Sequence, residues 1–151
     1  MRKAVHHLKY SHFKALATPL GRMLAQYLDS HPVAVDALVP VPLHSRRLRE
    51  RGYNQSALLA AEISKWNGLP VVTDSLVRTR HTKAQVKTDS AEERQRNMAG
   101  AFGCRDVRLA GKRILVIDDV CTTGATLNSC AAALRAAGAV SVWGLTLARE
   151  V

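Results

Sequence analysis

Residues 113–127 read Arg-Ile-Leu-Val-Ile-Asp-Asp-Val-Cys-Thr-Thr-Gly-Ala-Thr-Leu, and no other stretch constrains the chain as much. The uninterrupted apolar run 114–117 predicts a strand over 113–118 that is covered on both faces, as strands of parallel sheets are. The Thr/Gly loop that follows opens a helical pattern over about 125–137, with Gly138 as its stop. A second apolar run predicts a strand over 140–147. Strand, helix, strand in this order is a right-handed βαβ unit. The expected fold is therefore α/β: an open, mostly parallel twisted sheet flanked by helices. At 151 residues the chain is expected to form a single domain, with 1–35 as a helical segment ahead of a 36–151 core.

The rest of the chain fits that frame. Thr18-Pro19 reads as a cap and first helical turn, followed by Leu20, Met23, Leu24, Tyr27 and Leu28 at helical spacing, so a helix is expected over 19–29. A short strand is expected over 36–41, where Pro40 disturbs a regular ladder. Residues 42–54 are basic and read as irregular. A helix follows over 55–66 with Gly68 as terminator, then a short strand near 71–72. Segment 78–97 is almost free of large apolar side chains, and the capping box Ser90-Ala-Glu-Glu93 within it predicts a short polar helix over 90–97. Tyr10, Phe13 and Tyr27 could stack on a base, with core packing favoured for Phe13 and Tyr27; Trp66 and Trp143 read as core or partly buried.

Charge narrows the partners. Lys and Arg number 22 against 12 Asp and Glu, a net charge of +10, so the surface attracts polyanions: nucleic acid or small phosphorylated ligands. Aromatic residues are 5% of the chain and do not interleave with the basic groups, which favours small phosphorylated ligands. No apolar run reaches the length of a membrane helix and the N-terminus does not read as a secretion signal, so a cytoplasmic, non-membrane location is expected. Cys104, Cys121 and Cys130 lack metal-site spacing and read as reduced thiols, without zinc. The sequon Asn54-Gln-Ser56 reads as chance, and His6, His7 and His12 as mobile surface side chains.

Two adjacent carboxylates at the end of a strand repel one another, and core packing does not call for them. In open α/β sheets ligands bind beyond the carboxyl ends of the strands. Gly124 lets backbone approach a ligand closely; Thr122, Thr123 and Thr126, with the free N–H groups from Gly124 and Ala125 onward, make an anion nest at a helix start. Asp118 and Asp119 can accept hydrogen bonds from neighbouring hydroxyls such as a ribose diol. The local reading is a site for a 5-phosphoribosyl group. Neither GxxxxGK[ST] nor a GxGxxG after a strand is present.

Segment 116–126 resembles the 5-phosphoribosyl 1-pyrophosphate (PRPP) motif of type I phosphoribosyltransferases. With Val39-Pro-Val-Pro-Leu-His44, Arg47-Leu-Arg-Glu-Arg-Gly-Tyr-Asn-Gln55, Arg80-His-Thr-Lys-Ala-Gln85, Glu93-Arg-Gln-Arg-Asn97 and Gly100-Ala-Phe102, the chain more narrowly resembles the ComF/GntX-like group over most of 36–149. The resemblance implies ribose hydroxyls on Asp118 and Asp119 and the 5′-phosphate on Thr122, Thr123, Gly124, Ala125 and Thr126. It implies a pyrophosphate loop over 42–47, carrying Leu43, His44, Arg46 and Arg47, and a flexible hood loop within 78–97, carrying Arg80 and Lys83. It also implies Mg²⁺ held mainly by ligand and water rather than by protein, a nitrogenous acceptor that the residues do not identify, and a homodimer. The cysteine-rich zinc module often found ahead of this domain in the group has no counterpart here. A non-catalytic PRPP sensor and a nucleic-acid-binding protein of DNA uptake are the rival readings. His44 reads as structural rather than as a general base.

Overall fold

The computed structural model describes residues 2–10, 14–80 and 90–150. Lys83 and segment 81–89, together with His12 and Phe13, lie outside the described residues, as does the side chain of Tyr10.

The N-terminal segment forms α1 (Arg2–Tyr10), which buries Val5 and Leu8 and exposes His6 and His7. After a 3₁₀ turn over Lys14–Leu16 comes α2 (Ala17–Ser30), which starts two residues before the expected Pro19 because that turn leads directly into it. Pro19 still falls in the first turn, where its missing N–H has no partner to lose. Strand β1 (Ala37–Pro40) is fully buried. The stretch read as irregular contains a helix, α3 (Ser45–Arg51): His44 caps it, with Nδ1 accepting from Arg46 N at 3.2 Å, and Gly52 ends it at φ 82°. Leu48 is its one large apolar residue and is exposed, so there was no apolar period to find. Asn54 caps α4 (Gln55–Asn67) through Ser56 N at 3.0 Å.

Two short strands escaped the sequence pattern. β2 (Leu76–Arg78) and β3 (Phe102–Cys104) pair antiparallel, Arg78 opposite Phe102, as a separate two-stranded ribbon. Between them lies α5 (Ala91–Met98), with both halves of the Ser90–Glu93 capping box formed. β4 (Arg113–Cys121), α6 (Ala125–Ala136) and β5 (Ser141–Arg149) complete the chain.

The main sheet has the order β1-β4-β5 and is parallel throughout. Val71 adds a single parallel bridge to Leu38 where a short strand was expected. Alternation on the buried strands builds a core on each face. Val39, Ile114 and Val116 join Cys130 and Leu134 of α6, and Leu76 and Phe102 of the ribbon. Leu38, Leu115 and Ile117 join Leu8, Leu24, Leu59 and Ile63 of α1, α2 and α4. Gly21 sets the approach of α2 to α4, since a Cβ there would lie 2.4 Å from Glu62 Cβ. At the base of the sheet Arg113 forks onto Asp36 at 2.8 and 3.1 Å and holds that carboxyl far below the usual range.

Three aromatic expectations fail in position. Tyr27 is 52% exposed and stacks on His31 at 4.2 Å; Trp66 and Trp143 are also about half exposed, at 48 and 53%. Tyr27 shares the spacing of Leu20 and Leu24 but lies in the last turns of α2, where its ring is exposed. Trp66 sits in the last turn of α4 and donates Nε1–H to Asp29 at 2.8 Å, and Trp143 lies on β5, which has only β4 beside it among the described strands.

Candidate functional site

β4 runs further than 113–118. Its pairing with β5 continues to Cys121 opposite Arg149, so Asp118 and Asp119 lie within the strand and not beyond it. Both are buried, at 9 and 2% exposure. The backbone holds them in part: Asp118 Oδ1 accepts from Asp119 N at 2.9 Å, and Asp119 Oδ1 from Val120 N at 2.7 Å. Asp118 Oδ1 also accepts from Ser56 Oγ at 3.0 Å, a side chain 1% exposed at the start of α4. Hydrogen bonds accepted by a carboxylate fix its rotamer.

The turn Thr122–Gly124 follows. Gly124 caps α6 at φ 82°, a left-handed conformation that costs a side-chain-bearing residue strain. Thr123 Oγ1 accepts from Ala125 N at 3.3 Å. The amides of the first turn of α6 therefore point at the cleft with the positive end of the helix dipole behind them.

Two adjoining cavities open over this strand end. The larger, about 280 Å³, is lined by the 120–127 turn, Asp118 and a wall of Arg47, Arg78, Arg94, Asn97 and Met98. The smaller, about 160 Å³, has Pro42 and Leu43 after β1, Gln55 and Ser56 at the start of α4, and Arg51, Asp118 and Asp119. Arg47, Arg78, Asp118, Val120 and Thr126 line both. Three arginines face one carboxylate in the first lobe and three face two in the second, so each lobe carries an excess of positive charge. The two lobes meet at a polar, acceptor-rich junction, Asp118.

The expected site residues divide. Asp118, Asp119, Thr122, Thr123, Gly124, Ala125, Thr126, Leu43 and Arg47 come together around the cleft. His44 does not line either lobe and caps α3 instead. Arg46 turns outward to Glu50, at 3.2 Å with both side chains exposed. Arg80 donates to the carbonyls of Asn97 (3.4 Å) and Ala99, closing the C-terminal end of α5, where unsatisfied carbonyls attract a cation. The sequence reading missed Ser56, Arg78, Arg94 and the Asn97–Met98 pair. Only Asn54, as a cap two residues before Ser56, hinted at where α4 begins.

With fold and cleft described, relatives become informative. The model of the phosphoribosyl transferase domain matches residues 9–149. The chain belongs to the phosphoribosyl transferase domain family. It is 38% identical over 117 residues to competence protein F of Haemophilus influenzae, covering 75% of this chain and 51% of that protein. It is 36% identical over 148 residues to DNA utilization protein YhgH of Escherichia coli strain K12, covering 93 and 64%. The chain thus spans half to two thirds of the length of these relatives. The fold is shared with glutamine phosphoribosylpyrophosphate amidotransferase from B. subtilis, at TM-score 0.58, 22% identity and 87% of this chain against 26% of that one. Adenine phosphoribosyltransferase from Thermoanaerobacter pseudethanolicus has a TM-score of 0.55 at 16% identity, covering 90 and 81%. The ComF-like group of type I phosphoribosyltransferases, inferred from residues 36–149, is the one these matches support. Among the described residues no helix is long and apolar enough to cross a membrane.

Proposed function

We propose that the chain binds PRPP and transfers its phosphoribosyl group to a nitrogenous acceptor, releasing pyrophosphate. The observation that carries this reading is the two-lobed cleft: two arginine-lined lobes that meet at a pair of buried carboxylates. PRPP has the matching layout, a 5′-phosphate at one end, a pyrophosphate on C1 at the other and a diol between. In this reading Thr122, Thr123 and Thr126 and the amides that start α6 take the 5′-phosphate. Asp118 and Asp119 accept from the ribose hydroxyls, and Ser56 fixes Asp118 for that task. Leu43 and the 42–43 backbone, with Arg47, receive the pyrophosphate.

In the reaction the acceptor nitrogen forms a bond to C1 as the C1–O bond to pyrophosphate breaks; the leaving group takes the electron pair and the nitrogen loses its proton. Positive charge developing on the ribose is stabilised by the two carboxylates, and negative charge on the leaving group by the arginines. The protein's part is positioning and charge complementarity. The carboxylate and hydroxyl oxygens of the cleft are hard donors of the kind Mg²⁺ prefers. Mg²⁺ would be held largely by ligand oxygens and water beside Asp118 and Asp119. When bound, Mg²⁺ would neutralise pyrophosphate charge. Pyrophosphate release from PRPP, assayed with Mg²⁺ and a panel of nucleobases and ammonia, tests transfer. Release with an acceptor supports it; saturable PRPP binding without release by any acceptor favours the sensor.

One observation favours a second reading, nucleic-acid binding. Tyr53 donates its hydroxyl to Leu8 O, which ties α1 to the turn after α3, and Lys3 on α1 and Arg46 and Arg49 on α3 are exposed cations. The printed names of the relatives, competence and DNA utilization, point the same way. Affinity for single-stranded DNA should fall steeply with salt and drop on neutralising Arg46 and Arg49. Affinity indifferent to both eliminates this reading.

A further inference from the structure

We propose, resting on the PRPP reading above, that Arg78 is the residue that makes the cleft select a pyrophosphorylated sugar over the plain sugar phosphate. Arg78 sits at the end of the β2 strand of the ribbon, outside the main sheet, and lines both lobes where they meet at Asp118. Three features hold its guanidinium there. Its Cζ lies 5.4 Å from the Phe102 ring centroid, across the ribbon pair that sets Arg78 opposite Phe102. Its Nη2 reaches Met98 Sδ at 3.7 Å, at the end of α5. Its side chain is half-buried, which limits competing water.

Holding a charge in that position is opposed by its surroundings. Burial, and then the neighbouring charge of Arg47, push the proton affinity of Arg78 below the ordinary guanidinium value. The Phe102 face and Met98 Sδ hold the guanidinium at the junction, and a planar fork recognises phosphate oxygens in pairs. Two arginines from different elements, α3 and the ribbon, thus converge on the junction between the lobes. With a phosphoribosyl group seated on the α6 turn and its diol at Asp118, the atoms reaching that junction are those attached at C1. Ribose 5-phosphate offers a neutral hydroxyl there; PRPP offers a pyrophosphate. Arg78 contributes to binding the second ligand and not the first.

Calorimetric titration of the chain with PRPP and, separately, with ribose 5-phosphate, both with Mg²⁺, tests this. Wild type is expected to prefer PRPP. Arg78→Gln should weaken PRPP about tenfold to hundredfold, the loss of charge-assisted hydrogen bonds, and change ribose 5-phosphate by less than about twofold. Arg78→Lys keeps the charge without the stacked fork and should fall between the two; it also carries the test if Arg78→Gln does not fold. Equal weakening of both ligands would place Arg78 on the 5′-phosphate and overturn the proposal, as would a PRPP preference unchanged in both variants. No saturable PRPP binding by wild type would instead overturn the donor reading on which it rests.

Discussion

The floor and the wall of the cleft are built on different principles. The floor, β4 with the turn into α6, is a continuous strand buried on both faces: Ile114, Leu115, Val116 and Ile117 are at most 2% exposed. The wall is assembled from α3, the β2–β3 ribbon and α5, short elements rich in arginine; α3 and α5 bury no residue at all. Burial makes the floor stiff and fixes Asp118 and Asp119. The wall instead holds cations at a concave surface: Leu76 and Phe102 anchor the ribbon in the core, while α5 is tied by Arg80 on its C-terminal carbonyls and by Ser129 Oγ donating to Met98 O at 2.6 Å. Substitutions in the floor should therefore cost stability, and substitutions in the wall should cost ligand affinity with the fold intact.

The sharpest way to break that distinction is in the floor itself. Leu115→Ala in the central strand should lose about 2–5 kcal/mol in a urea unfolding titration. A loss under about 1 kcal/mol would mean β4 is not the rigid element. Gly124→Ala should lose about 1–2 kcal/mol, since its φ of 82° is a left-handed conformation, and should weaken phosphate binding with it. Ser56→Ala removes one buried hydrogen bond to Asp118 and should cost about 1 kcal/mol; Ser56→Thr, which keeps the hydroxyl, should restore PRPP affinity if orientation of Asp118 is what Ser56 supplies. In the wall, Arg94→Gln should alter stability by less than about 0.5 kcal/mol yet weaken ribose 5-phosphate binding severalfold. The smallest effect lies outside both regions. Arg108 and Ser75 hold the Asp106 carboxyl down at about 2. A depressed carboxyl stabilises the fold above its unfolded value, so this contribution is present above about pH 4 and is lost as pH falls toward 2. The acid-side fall in urea midpoint should be shallower in Asp106→Asn; identical pH curves would contradict the assignment.

The same division explains what could be read from sequence. The floor was legible because its signals are local: an apolar run, a carboxylate pair, a Thr/Gly turn and a helical period lie within 25 residues of each other. Even there the end of β4 was misplaced, since its last residues are held by pairing with β5, a partner that local pattern does not register. The wall was barely legible. β2 and β3 are three residues each, too short for alternation to show, and α3 has no apolar face. Ser56 meets Asp118 across 62 residues of sequence, a contact no local pattern reports. Counting arginines gave the charge of the cleft but not its members: Arg47 lines both lobes, Arg46 beside it turns to Glu50, and Arg78, two residues before Arg80, lines both lobes as well. His6 and His7 were placed correctly at the surface, on a helix rather than on a loose segment.

The central claim is that the buried carboxylate pair joins two anion sites into one PRPP site. Titration of the wild-type chain and of the double variant Asp118→Asn/Asp119→Asn with PRPP and Mg²⁺ tests it most directly. Saturable wild-type binding that falls at least tenfold in a variant with an unchanged unfolding midpoint is the predicted result. Binding that is absent from wild type, or equally tight in the folded double variant, would contradict it.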